Sequence, residues 1–396
     1  MQARARRGRA APILLSAVVW ASACGSGSPE PADASGEGTT TVPATSGVTS
    51  LPGTTTPSST TSTIATTTLA PLEPPTFEAL EGIHTIGDFS GLTARGMARW
   101  QESVPGIEDI TITSTADGSE QPALWLPPDG ETARPLLVIL HSWSSPYVQH
   151  AGIPYAMWAQ ENGWAVIAPE FRGVNDDADS IGSDLAVQDV VDAIDFATSQ
   201  EGIDVNRVYA VGYSGGGMMS LLLAGRHPEK VTAVAAWGPP YDLIAFYSQS
   251  AAAGRHYAPD IEAGCGGSPT DGGAPEEECV HRSPMTHLDA AKEQGVQVFI
   301  GQGIHDSLVS PSQGARAFNQ LAASEDQFTD EELEVIGGGG IPDHLSDPVD
   351  IETFFGDGDP APVFARQSGS VLLVFFDADH EMVYQASARW FATDPH

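Results

Sequence analysis

The chain has 396 residues and a formal net charge of −35, from 52 acidic against 17 basic side chains. Such a balance offers no basic patch and excludes a nucleic-acid-binding role. It suits a soluble, salt-tolerant surface, or else a site that prefers cationic substrates. None of the three cysteines has a zinc-site spacing.

Arg4, Arg6, Arg7 and Arg9 form a basic head, Ala10 to Trp20 is a short apolar run, and Ala21-Ser22-Ala23 leads to Cys24. This is the layout of an export signal over residues 1–24, and the run is too short to span a bilayer. Its small-small-Cys ending resembles a bacterial lipobox, which implies acylation of Cys24 and attachment to the membrane. The alternative is ordinary signal cleavage with Cys24 incidental. Arg6-Arg7 leaves twin-arginine and general export both open. Residues 25–75 are Ser, Thr, Pro and Gly with few large apolar side chains. They cannot bury enough surface to offset chain entropy and read as a disordered tether, open to glycosylation.

Residues 76–396 are long enough for one large α/β domain. Ile107 to Ile112 alternates as a strand does, and Pro122 to Leu126 reads as its neighbour. The apolar run Leu136 to Leu140 predicts a strand buried on both faces. A helix over Tyr155–Asn162, a strand over Trp164–Ala168 and a helix over Asp184–Ser199 with Ser183 as N-cap follow. Next come a strand over Arg207–Val211, a helix from Gly217 to about Arg226, and strands at Thr232–Trp237, Val296–Ile300 and Val371–Phe376. Met382 to Phe391 reads as a terminal helix. Strands alternating with helices predict a mostly parallel sheet covered on both faces, the α/β class.

The segment Gly212-Tyr213-Ser214-Gly215-Gly216 lies between a predicted strand and a predicted helix. In that context Gly-x-Ser-x-Gly reads as a strained turn presenting Ser214 as a nucleophile, with a helix N-terminus beneath the reacting centre. Serine needs a general base, and the base needs an orienting carboxylate, in the chain order Ser, acid, His. His380 follows the last strand by a short loop and is the expected base; His305 and His344 are its competitors. Asp306 follows the strand Val296–Ile300 and is the expected acid; Asp377 and Asp379 are rivals by proximity to His380. The oxyanion hole is expected from the amides of Gly215 and Trp143, with His141 either a further donor or a brace for its loop. This chemistry requires no cofactor or metal.

These residues, with Phe171-Arg172-Gly173, Gly303 to Val309 and Asp379-His380-Glu381, resemble the catalytic domain of prolyl oligopeptidase-type serine peptidases. The similarity spans roughly 120 to 396, weakly over 325–370. It implies the α/β-hydrolase fold and carries the nucleophile, acid and base roles to Ser214, Asp306 and His380. Two departures matter. The family's His-Gly-Gly-Pro is here His141-Ser142-Trp143-Ser144, and a tether with a short stretch precedes the domain where the family's peptidases have a propeller.

Two inserts are expected to shape the site. Residues 241–282 read as a lid, with Tyr241 and, beside the nucleophile, Tyr213 as candidate substrate contacts. Cys265 and Cys279 remain as a pair once Cys24 is assigned to lipid, and a disulfide between them fits an oxidising space. Residues 324–367 read as an irregular acidic excursion whose carboxylates are candidates for calcium. The expected function is a secreted peptidase acting on a peptide or small-molecule substrate. A carboxylesterase for acyl or polymer esters is the alternative, and a non-catalytic surface binder the reading from another class. The oligomeric state is open.

Overall fold

The computed structural model describes residues 73–91, 93–345, 352–356 and 358–395. The export signal, Cys24 and the tether as far as residue 72 lie outside them. Nine strands form one sheet: β1 (Glu108–Thr113), β2 (Glu120–Leu126), β3 (Arg134–Leu140), β4 (Ala165–Pro169), β5 (Ile203–Tyr213), β6 (Ala233–Trp237), β7 (Gln297–Gly303), β8 (Pro362–Ser368) and β9 (Val371–Phe376). Their order is β1-β2-β4-β3-β5-β6-β7-β9-β8. The run from β4 to β9 is parallel, with β1, β2 and β8 antiparallel at the edges.

Short helices α1 (Ile86–Phe89) and α2 (Met97–Ser103) precede the sheet. α3 (Ile153–Glu161) links β3 to β4, α4 (Asp184–Thr198) links β4 to β5, and α5 (Gly215–Arg226) links β5 to β6. Between β6 and β7 lie α6 (Leu243–Ala252), α7 (Tyr257–Cys265), α8 (Ala274–Arg282) and α9 (Leu288–Gln294). α10 (Pro311–Leu321), α11 (Asp330–Gly337) and α12 (Glu352–Phe355) precede β8, and α13 (Tyr384–Phe391) ends the fold.

The continuous apolar runs are needed because both sheet faces are covered. Along β3, Leu136, Val138 and Leu140 enter one core with α4, α5 and α10, while Leu137 and Ile139 enter the other with α3 and α13. Each such side chain, fully buried, stabilises the fold by about 1.5–3 kcal/mol. Ser183 caps α4 as expected, its hydroxyl accepting the Ala186 amide at 3.0 Å.

From β3 the chain moves outward to β4 and then back past β3 to β5. The loops leaving β3 and β5 therefore diverge at their carboxyl ends, where a doubly wound sheet opens a crevice. Leu140 pairs with Gly212, and Tyr213 pairs with Trp237, so these strand ends lie level along one edge.

The structure corrects one expectation. The stretch 324–367 is not irregular throughout, since it contains α11 and the edge strand β8. β8 buries only part of its length and carries polar residues and a proline, so it lacks the apolar run of a central strand. Among the described residues no three acidic, histidine or cysteine side chains converge to hold a metal, and Asp347, Asp350 and Asp357 of the calcium reading lie outside them. The stretch 241–282 contains three helices, and Cys265 and Cys279, expected as a pair, are joined by a disulfide between α7 and α8.

Candidate active site

Ser214 sits between the last residue of β5 and the first of α5, with φ 57° and ψ −115°. A side-chain-bearing residue in such a conformation costs about 1–3 kcal/mol and persists only where its surroundings enforce it. Here they do. The Ser214 amide donates to Trp237 O at 2.7 Å, and Ser214 O accepts the Met218 amide at 2.9 Å. The flanking glycines permit the closure. A Cβ on Gly212 would lie 2.1 Å from Gly216 O, and one on Gly216 2.2 Å from Leu140 O.

His380 Nδ1 meets Asp306 Oδ2 at 2.6 Å. Asp306 is buried, and its oxygens are filled by further donors: the Leu308 and Val309 amides at 2.9 Å on Oδ1, and Gln302 Nε2 at 2.7 Å on Oδ2. The imidazole is held at the ends of β5 and β6, against the residues next to Ser214 and Trp237. Its ring centroid is 4.7 Å from that of Tyr213, and a Cβ on Gly238, the residue after Trp237, would lie 3.0 Å from its Cε1. Among the described residues no hydrogen bond links the Ser214 hydroxyl to His380.

The amides proposed for an oxyanion hole converge. A Cβ on Gly215 would lie 2.7 Å from Trp143 N, so the two backbones meet at close range. Among the described residues the Trp143 amide has no backbone or side-chain acceptor, as a donor awaiting a ligand requires. Trp143 O is occupied by the Asn175 amide at 2.9 Å.

Three sequence-based assignments are corrected. His141 braces its loop and is not a free donor: Nδ1 lies 3.1 Å from Ser142 O, Nε2 lies 2.9 Å from Glu170 Oε1, and the ring stacks on Phe171. Burial alone would raise the Glu170 carboxyl. The charge and hydrogen bond of His141 and the amides of Tyr147 and Phe171 outweigh it and hold the group below its ordinary range. Tyr213 is a support for the histidine loop, not a substrate contact; its hydroxyl donates to His380 O at 2.8 Å, and burial pushes the phenol far up, keeping it a donor. Tyr241 is committed elsewhere, its hydroxyl to Gln320 Oε1 at 2.8 Å, and it lines a depression with Met285, Arg316 and Leu333 that contains no triad residue.

The rival groups have other partners. His305 pairs with Asp377 at 3.0 Å and His344 with Glu332 at 2.7 Å. Asp379 joins the acid and base loops, Oδ1 accepting the Ser307 amide at 2.7 Å and the His380 amide at 2.8 Å. Glu381 Oε1 accepts the Ile86 and Met382 amides, and burial pushes its carboxyl up. The roles of Gln302, Asp379 and Glu381 escaped sequence reasoning, although the last two flank His380.

The chain is similar to known proteins. Residues 155–333 match the model of the prolyl oligopeptidase family. The protein is a serine hydrolase of the α/β-hydrolase fold. Feruloyl esterase B of Thermothelomyces thermophilus is 24% identical over 273 residues, covering 64% of this chain and 87% of its own length. A puromycin-hydrolyzing peptidase of Mycobacterium tuberculosis aligns at 16% identity over 71% of this chain and 37% of its own, with a TM-score of 0.47. An esterase of Pyrococcus furiosus aligns at 13% identity over 76% of this chain and 93% of its own, with a TM-score of 0.46. The chain spans about a third of the length of peptidase structures of the prolyl oligopeptidase kind, 34% for an acylaminoacyl peptidase.

Proposed function

We propose that the protein hydrolyses carboxylic esters through an acyl-enzyme on Ser214. The reading is carried by the 2.6 Å Asp306–His380 hydrogen bond beside a serine held in a strained strand-to-helix turn. In this mechanism His380 takes the hydroxyl proton as Ser214 Oγ attacks the acyl carbon, and then gives that proton to the leaving oxygen. Asp306 keeps the proton of the neutral ring on Nδ1 and stabilises the imidazolium that forms. The Gly215 and Trp143 amides receive the negative charge that develops on the carbonyl oxygen. A water molecule, deprotonated by His380, then attacks the ester and releases Ser214. In free enzymes the nucleophile–base contact is commonly loose and tightens with substrate.

The ester preference is supported by the feruloyl esterase relative, which the chain matches over 87% of its length. Amide cleavage, as a prolyl oligopeptidase-like peptidase, is the second reading, favoured by the family match over 155–333. A panel of p-nitrophenyl esters run beside dipeptidyl anilides separates them. Ester turnover that vanishes in Ser214→Ala is expected, and faster anilide turnover would establish the peptidase instead. A protein that neither turns over any of these nor reacts with a fluorophosphonate would refute the acyl-enzyme on Ser214.

The protein is further proposed to be exported and held at the extracytoplasmic face of the membrane by a lipid on Cys24. The signal layout supports this, as does the Cys265–Cys279 disulfide, a bond that persists in oxidising compartments. Cys24→Ser should move the protein from the membrane fraction to the soluble one; retention would refute the anchor.

A further inference from the structure

The oxyanion loop is gripped from two directions. On the sheet side, the Ser142 amide donates to Gln149 Oε1 at 2.9 Å, and Trp143 O accepts the Asn175 amide. The other grip comes from the insert. Trp143 Nε1 donates to Asp260 Oδ2 at 3.2 Å, and Ser144 Oγ lies 3.1 Å from His256 Nε2. Phe246 and Tyr257 meet the Trp143 indole edge-on, with ring centroids at 5.6 and 5.8 Å. The same insert reaches the opposite side of the site, where Arg255 Nη1 donates to Ser307 O at 2.6 Å and Gln249 Oε1 accepts the Ser310 amide at 3.1 Å. Helices α6 and α7 thus run from the oxyanion loop to the acid loop.

Asp260 is the unusual member of this set. A half-buried carboxylate ordinarily answers an arginine or lysine, whereas this one accepts an indole N–H, and among the described residues its nearest basic side chain is the imidazole of His256 at 3.9 Å. Its charge strengthens the hydrogen bond to the indole. With the carbonyl of Trp143 tied to Asn175 and the indole tied to Asp260, both ends of the residue are fixed and the direction of its amide follows.

We propose that Asp260 is a positioning residue for the oxyanion hole, holding the Trp143 indole so that the Trp143 amide points at the oxygen that becomes negative. The proposal rests on the serine-hydrolase mechanism given above, with Trp143 as the second amide donor. It makes the insert part of the catalytic geometry as well as a wall of the site.

The test compares Asp260→Ala, Asp260→Asn, Trp143→Phe and the Ala/Phe double variant, using a p-nitrophenyl ester and a phenylboronic acid whose tetrahedral adduct mimics the transition state. Asp260→Ala and Trp143→Phe should each lower kcat by about 10- to 100-fold and weaken the boronic acid by a similar factor, with KM within about twofold. Asparagine still presents an oxygen to the indole, so Asp260→Asn should recover most of kcat. The double variant should be no slower than the slower single one, because both changes break the same link. Thermal melting checks that each variant folds. Wild-type kcat in Asp260→Ala, equal losses in the alanine and asparagine variants, or losses that multiply in the double variant would each overturn the proposal. Turnover that persists in Ser214→Ala would instead overturn the mechanism, and the proposal with it.

Discussion

Asp306 and His380 lie 74 residues apart in the chain and share a 2.6 Å hydrogen bond in which the aspartate side chain is wholly buried. The carboxylate accepts from four groups, so it is fixed in orientation as well as in charge. Asp306→Asn keeps the shape but can present an N–H where His380 Nδ1 needs an acceptor, and the ring then adopts the wrong tautomer. The expected outcome is a fall in kcat on the order of 10,000-fold with KM little changed and the melting curve close to wild type. Steady-state kinetics with a p-nitrophenyl ester checks it.

Gly303 is where the acid strand carries the histidine loop. A Cβ there would lie 2.0 Å from Asp379 O and 2.6 Å from Ala378 O, both backbone atoms that cannot turn aside. Gly303→Ala should displace the loop and with it His380. A loss of about 100-fold in kcat is expected from misplacement on the ångström scale, with destabilisation of about 1–3 kcal/mol from overpacking. Gly340→Ala is the control, since its nearest contact would be an ordinary 3.4 Å. Kinetics and urea denaturation on the pair decide whether the effect belongs to the loop.

The sequence showed what depends on local pattern. β6, β9 and β3 after Arg134 are apolar because both sheet faces are covered, and the glycines around Ser214 mark a turn that no Cβ would allow. Asp306 was legible as a carboxylate just past a strand, and His380 as a histidine in the following strand's loop. Contacts made across the fold were not legible. Asp260 finds Trp143 over 117 residues and Glu381 finds Ile86 over 295, and neither leaves a spacing to read. Tyr241 misled because a tyrosine after a strand end looks like a site residue until its hydroxyl is seen bonded to Gln320. β8 was missed because an edge strand needs only a partial apolar face.

The buried pair of His141 and Glu170 should make stability fall in acid. The Glu170 carboxyl is held below its ordinary value of 4.5, so its contribution is complete above that value and is lost as pH falls through the depressed folded one. Glu170→Ala leaves the buried His141 ring and the Tyr147 and Phe171 amides without the carboxylate they face. It should destabilise the protein by about 1–3 kcal/mol at neutral pH and remove that part of the acid slope. Urea melts at a series of pH values report both effects. An unchanged slope would mean that other carboxylates set the acid limit.

The Cys265–Cys279 disulfide joins positions 14 apart, tying α7 to α8 inside the insert that holds Trp143. Closing a loop of that length restricts the unfolded chain by about 3 kcal/mol in the chain-entropy model. Reductant should therefore lower the unfolding free energy of the wild type by about that amount, and a Cys265→Ser, Cys279→Ser double variant should match the reduced protein and ignore reductant. Activity should fall as well, because α7 carries Asp260, and loosening α7 frees the indole it restrains. Equal kcat in oxidised and reduced protein, alongside lowered stability, would mean that the packing of Phe246 and Tyr257 on Trp143 keeps the loop in place without the covalent tie.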